Sequence, residues 1–333
     1  MKSQKPLHIF YLKCLALSLP FLLLVAIYCY EDPFMVIRSY DDYDHCHVEL
    51  SEGDIGWKKI KMFRKTRHYD SFIMGASCTK AYNCDDWNRY INARPFRFFG
   101  NSEGLGDVCL KLQALDKLPG QQVKNLLLVT ERSFYEKAHP QPGVMHIMPP
   151  DVTGKSFFSY QAAYLQGFLF PKFLLPYLKF KFTNHYDKSM ANVIEDEGRS
   201  HTRYTNDATL EQEDDIRRMG EDYWKQPHWR KAIAKPQTVH PHAPVIGPEQ
   251  LTRLTEIRDF CRRHNTRLKL IVGPTFELEQ LNSRDLQALR TLFGDSVVYD
   301  FSANLPLHDY HGFYDPIHYR RCVGQKILQQ VYK

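Results

Sequence analysis

A serine, an aspartate and a histidine stand in this chain with the types and spacing that nucleophilic chemistry needs. Near the C-terminus the sequence reads Phe313-Tyr314-Asp315-Pro316-Ile317-His318-Tyr319, an acid and an imidazole three residues apart. Far upstream an apolar run ends Ser71-Phe72-Ile73-Met74-Gly75-Ala76-Ser77. A serine hydroxyl attacks poorly until a base takes its proton, and the base works best when a carboxylate fixes its tautomer. Ser77, His318 and Asp315 match those three roles. Each also has an ordinary reading: Ser77 as the cap of a following helix, Asp315 as an N-cap, His318 as a surface residue.

The elements around these residues alternate. Residues 69–74 read as a short strand stopped by Gly75, 79–90 as a helix and 97–99 as a second strand. Val108, Leu110, Leu112, Leu115 and Leu118 recur at helical spacing, and 123–129, with three consecutive leucines, reads as a buried strand. Later come helix 248–264, strand 267–272, helix 283–293 with Ser283 as its N-cap, strand 297–301 and a last helix over 316–332. This rhythm predicts a three-layer α/β/α fold, a parallel sheet with helices on both faces. In such sheets functional groups gather beyond the C-terminal ends of the strands, which is where Ser77 falls.

Residues 8–30 are apolar apart from Lys13. As a helix they would run about 34 Å, against a hydrocarbon core of about 30 Å. Lys2, Lys5 and Lys13 lie on the N-terminal side and Glu31 and Asp32 follow the span, so the positive-inside rule places tail 1–7 in the cytoplasm and the bulk of the chain outside. The segment ends Ile27-Tyr28-Cys29-Tyr30 without a small-residue cleavage site, which favours an uncleaved anchor over a signal peptide. Residues 31–67 read as a juxtamembrane connector and 68–333 as the α/β domain, with a helical insertion at about 136–245. Within the insertion an aromatic stretch, 157–182, is broken by Pro171, Lys172, Pro176 and Lys179; core or lid helices and an element lying in the membrane interface both fit it.

The 333 residues carry a net charge of +6, and 14% are aromatic. No zinc-finger, basic-zipper or Walker pattern occurs, so nucleic acid is not an expected partner. The basic run Lys58-Lys59-Ile60-Lys61, with Arg64, Lys65 and Arg67, reads as a solvated face near an acidic membrane surface. Of eight cysteines, Cys14 and Cys29 lie in the span; Cys46, Cys78, Cys84, Cys109, Cys261 and Cys322 are open to disulfides or to burial as free thiols. Cys78 reads as a buried neighbour of Ser77. His45-Cys46-His47 and His240-Pro241-His242 have metal-like spacing without a partner set, and His308 and His311 read as loop residues. No metal or cofactor is expected.

Taken together, the segments resemble the SGNH (GDSL-like) hydrolase superfamily, and most closely its membrane-anchored branch that includes the teichoic-acid D-alanine-transfer and alginate O-acetylation proteins. Gly75-Ala76-Ser77 matches the nucleophile turn and Asp315-Pro316-Ile317-His318 the C-terminal acid and base. Arg97-Phe98-Phe99-Gly100-Asn101-Ser102-Glu103-Gly104 looks like the second block, which assigns Gly100 and Asn101 to the oxyanion and substrate site. Asp32-Pro33-Phe34 after the anchor also resembles membrane-bound members. The resemblance covers roughly 69–135 and 246–333 and implies a flavodoxin-like sheet. It further implies an extracytoplasmic esterase or O-acyltransferase acting on a cell-surface polysaccharide, with a multi-span membrane acyltransferase as partner. The usual Gly-x-Asn-Asp block is missing: the central strand leads into Thr130-Glu131-Arg132-Ser133. That departure motivates an alternative, a catalytically inactive accessory or glycan-binding protein on the same scaffold.

Overall fold

A computed structural model describes residues 5–196, 201–235 and 238–333. The chain divides into two compact units. One combines the N-terminal stretch through Leu50 with a segment that begins at Lys155; the other holds Ser51–Gly154 and the stretch running to Lys333. The longer helices are α1 (Lys5–Glu31), α2 (Glu52–Arg67), α3 (Cys84–Ile91), α4 (Leu105–Asp116), α5 (Phe157–Leu169), α6 (Pro171–Thr183), α7 (Glu211–Met219), α8 (Pro227–Ala234), α9 (Pro248–His264), α10 (Ser283–Phe293) and α11 (Arg321–Val331).

The second unit is an α/β fold around a five-stranded, all-parallel sheet. Its strands are β1 (Ser71–Gly75), β2 (Pro95–Arg97), β3 (Asn125–Thr130), β4 (Arg267–Val272) and β5 (Val298–Asp300), in the order β2-β1-β3-β4-β5. β1 and β3 are buried along their whole length, as continuous apolar runs in a sheet covered on both faces must be. The pleat sorts their side chains. Phe72, Met74, Leu126 and Leu128 join one core cluster with Trp57 and Ile60 of α2, Leu112 of α4 and Ile257 of α9. Ile73, Leu127 and Val129 join another with Trp87 of α3 and Val323 and Ile327 of α11.

This core draws in more chain than the expected domain at 68–333. Helix α2, read from sequence as connector, supplies the buried Trp57 and Ile60. The expected insertion divides as well: 136–154 and the part from 201 onward belong to the α/β unit, whereas 155–196 belong with the N-terminal stretch. The basic run is not simply a solvated face. Lys59 is buried and donates to Thr202 O at 2.8 Å, Lys58 pairs with Asp54 and Lys61 with Asp151.

At the start of α2 the largely buried Glu52, its side chain 12% exposed, accepts from the His201 ring at 2.9 Å. Burial alone would raise the Glu52 pKa, but His201, with Lys80 and Arg97 nearby, outweighs it and holds the carboxyl down at about 2. Burial lowers the His201 pKa against the pull of Glu52. The linkage sign follows. A depressed carboxylate stabilises the fold above its unfolded pKa of about 4.5, and that contribution is lost as pH falls from there toward about 2. Glu52→Gln should therefore lower stability at neutral pH and flatten its decline between pH ~4.5 and ~2, read by denaturant unfolding across pH.

In the first unit, Leu7–Glu31 of α1 is 25 residues of mean hydropathy 2.2, none of the window buried, long and apolar enough to cross a membrane. Leu17 is 82% exposed. The chain turns sharply at Asp32, whose φ is 46°. The Asp32 carboxylate is buried and accepts from the backbone N–H of Val36 (2.8 Å), Ile37 (3.0 Å) and Arg38 (3.0 Å) and from the Tyr40 hydroxyl (3.0 Å). Phe34 follows it into an aromatic nest against Tyr164 and Phe173. Asp32→Ala strands these donors together, so a loss of ~3 kcal/mol is expected. Faster proteolytic cleavage between 32 and 40 would report it.

Candidate functional site

Ser77 owes its position to a glycine. Gly75 ends β1 at φ +136°, a conformation side chains resist, and a Cβ there would collide with the Val129 carbonyl of β3. The chain turns without a side chain in the way and enters a 3-10 turn, Ser77–Ala81, with Ala76 as its cap. Thr79 is buried and its hydroxyl donates to Ala76 O at 2.8 Å, tying the turn to its own cap. The first N–H groups of such a turn have no partner inside it. The Ser77 side chain does not cap the turn. It points instead to His318.

The distances make a linear relay. Ser77 Oγ lies 2.7 Å from His318 Nε2, and His318 Nδ1 lies 2.7 Å from Asp315 Oδ2. Asp315 also accepts the backbone N–H of Ile317 and of His318 through Oδ1, each at 2.8 Å. Burial would raise the Asp315 pKa; the hydrogen bonds from the His318 ring and the two backbone donors outweigh it and hold the carboxyl below its usual range. An ionised carboxylate only accepts, so Nδ1 carries the ring proton and Nε2 is left to accept from the Ser77 hydroxyl. The His318 side chain keeps 22% and Asp315 35% of its surface exposed, so the relay is reachable from solvent.

The acid and the imidazole do not meet on a helix as the sequence spacing predicts. Helix α11 begins only at Arg321. Residues 313–319 form a tight loop: Phe313 and Tyr319 are bridged, and Tyr314 N donates to His318 O. The Pro316 carbonyl, which a helix would need, accepts instead from Phe276 N at 3.0 Å. The Tyr314 ring stacks on His318 with centroids 5.5 Å apart and planes nearly parallel, and fixes the imidazole plane. Tyr223 Oη donates to Tyr314 O and Trp224 Nε1 to Phe313 O, so the region 220–225 clamps this loop from outside.

Close packing sets the loop against the serine turn. Gly324 of α11 touches the Ala81 carbonyl where a Cβ would not fit. Arg321 Nε and Gln325 Nε2 donate to the two oxygens of Asp86 on α3 at 2.5 and 3.0 Å. Tyr319 Oη donates to Tyr82 Oη inside the core.

The remaining candidates fall elsewhere. Gly100 and Asn101 follow β2 at the C-terminal edge of the sheet, yet neither hydrogen-bonds to the Ser77–His318–Asp315 group; Gly100 packs against the Glu103 carboxylate. Cys78 is buried toward Val129 O, and burial pushes its thiol well above the ordinary value, so it is no competing nucleophile. All eight cysteines are unpaired. His308 stacks on Phe276 and bonds its carbonyl; His311 bonds Asp309 and Glu221. His45 bonds Asp42, and His47 bonds Glu195 O. The side chain of His240 lies outside the described residues. Among the described residues no three His, Cys, Asp or Glu side chains gather as a metal site.

Sequence reasoning missed Tyr314 as the ring that stacks on His318, although it sits in the quoted segment. It also missed Gly324, which carries no signal beyond being a glycine inside a helix pattern. No protein-family model matches this chain, and no curated protein matches it.

Proposed function

We propose that this protein is a membrane-anchored acyl-ester enzyme of SGNH type, an O-acyltransferase or esterase working through Ser77, His318 and Asp315. The observation that carries the reading is the relay itself, Ser77 Oγ at 2.7 Å from His318 Nε2 with Asp315 on the ring's far nitrogen. The strand order β2-β1-β3-β4-β5 and cores on both faces of the sheet are compatible with the flavodoxin-like, three-layer arrangement of that superfamily.

In this reading Ser77 Oγ attacks an acyl carbonyl while its proton passes to His318 Nε2. Asp315 stabilises the imidazolium. The tetrahedral oxyanion is met by backbone N–H groups that open the Ser77 turn. Collapse breaks the ester bond, and Nε2 returns the proton to the leaving alcohol. The acyl-enzyme then passes to water or to a sugar hydroxyl, activated by the same imidazole. By resemblance the acceptor is a cell-surface polysaccharide and the acyl donor a multi-span membrane acyltransferase. Lys2, Lys5 and Lys13, all toward the N-terminal end of the apolar stretch, support an extracytoplasmic site on the positive-inside rule.

A second reading, an inactive scaffold that binds glycan, rests on one observation: β3 ends at Thr130 and leads into Glu131-Arg132-Ser133, with no Asn in that stretch to complete an oxyanion hole. Fluorophosphonate labelling of the full chain in detergent separates the two. Labelling at Ser77, lost in Ser77→Ala, supports the enzyme; an unlabelled native chain supports the scaffold.

A further inference from the structure

The helical pair α5–α6 carries an outer surface that water does not explain. Its inner side is spent on packing within the first unit: Tyr160, Tyr164, Phe168 and Tyr177 are buried. Outward, Phe158 is 85% exposed, Phe182 86%, Leu175 65% and Phe170 56%. Leu175 and Phe182 lie two turns apart on one face of α6. A helix pair facing water should present charge of both signs there. Residues 157–183 contain no acid at all, and α5 contains no charged residue.

The pair is continuous with the apolar helix α1. Tyr28 packs on Phe168 with ring centroids 5.5 Å apart, Tyr28 Oη donates to Gln161, and Lys181 pairs with Glu31 at the end of α1. The polar end of α1 sets the depth of these contacts. The 25 residues of Leu7–Glu31 extend about 37 Å, roughly 7 Å beyond a hydrocarbon core of about 30 Å. The charged pair Glu31-Asp32 marks the polar end of α1, and Tyr28 lies within one turn of it. The helix pair is thus held at the level where the span leaves hydrocarbon, the layer in which aromatic rings collect.

We infer that α5–α6 lies in the interfacial layer of the bilayer that α1 crosses, with Phe158, Phe170, Leu175 and Phe182 seated among lipid. The inference rests on the spanning reading of α1. Attraction to anionic headgroups is a minor part of what holds the pair down: of the three lysines on α6, Lys179 and Lys181 are already paired with Asp187 and Glu31, which leaves Lys172. Apolar burial does the work, so the contact should resist salt.

The test uses the full chain reconstituted in phosphatidylcholine–phosphatidylglycerol nanodiscs, with the photo-crosslinker p-benzoylphenylalanine at 158 or 182 and, for background, at the exposed Thr252. Mass spectrometry should find phospholipid adducts at 158 and 182, at least ten-fold above position 252 and unchanged between 0.1 and 1 M salt. In native membranes the same positions should again give lipid adducts. Adducts there to another protein, or none in nanodiscs while the chain still resists alkaline carbonate extraction, would overturn the inference and leave the span standing. Release of the chain by carbonate would overturn the span and the inference together.

Discussion

Ser77→Ala is expected to abolish fluorophosphonate labelling and to lower kcat/KM for a simple aryl ester by about 10⁴-fold or more. The size follows from what the alanine removes. The nucleophile goes, and with it the acceptor of the acyl group, while the ring and carboxylate stay paired. Asp315→Asn should come close in effect, near 10⁴-fold, for a different reason. An amide in that place keeps the Ile317 and His318 backbone N–H groups satisfied through its oxygen and turns its NH₂ toward His318 Nδ1. The imidazole must then carry its proton on Nε2, where it can no longer accept from Ser77. The two variants therefore separate chemistry from scaffold: both should unfold near the native midpoint while activity collapses. Full turnover in Ser77→Ala would remove this serine from the mechanism.

That relay was readable in the chain because its parts are local. An apolar run stopped by glycine marks a strand end; a serine two residues later reads as a cap or as a nucleophile, and the Asp315-x-x-His318 pair adds weight to the second. The joining of Asp315 to His318 was legible as spacing but not as geometry. The sequence pattern favours a helix from 316, and distant partners make it a loop: the Phe276 N–H, which donates to the Pro316 carbonyl, and Tyr223 and Trp224, which donate to Tyr314 O and Phe313 O. The same long-range logic hid the place of α2. Its lysines advertise a solvated face, yet Trp57 and Ile60 are buried in the core, and Lys59 is satisfied by a carbonyl more than a hundred residues away. No local pattern announces that 155–196 returns to pack with the N-terminal stretch. Gly100 and Asn101 illustrate the opposite case. A motif names them, and the structure joins neither to the relay by a hydrogen bond.

Gly75→Ala is expected to be the most destabilising single methyl in the α/β unit, at about 4 kcal/mol. Two terms add. A side chain at φ +136° costs ~1–3 kcal/mol in backbone strain. Forcing a methyl onto the Val129 carbonyl costs about as much again, because the carbonyl cannot retreat. Gly75 pairs with Val129, and Val129 pairs in turn with Ile271, so β3 is held from both sides. What yields is the end of β1, and Ser77 moves with it. A displacement of ~1 Å breaks a hydrogen bond of the kind joining Ser77 to His318 and lowers the labelling rate by about 10²-fold in whatever fraction remains folded. Gly294→Ala supplies the contrast. Gly294 also has a positive φ, +96°, but opens onto empty space, so it carries the strain term without the collision. Denaturant unfolding of the two variants should place Gly75→Ala at least ~2 kcal/mol below Gly294→Ala. Equal losses would mean that backbone conformation alone accounts for Gly75, and that β3 does not press against the turn that presents Ser77.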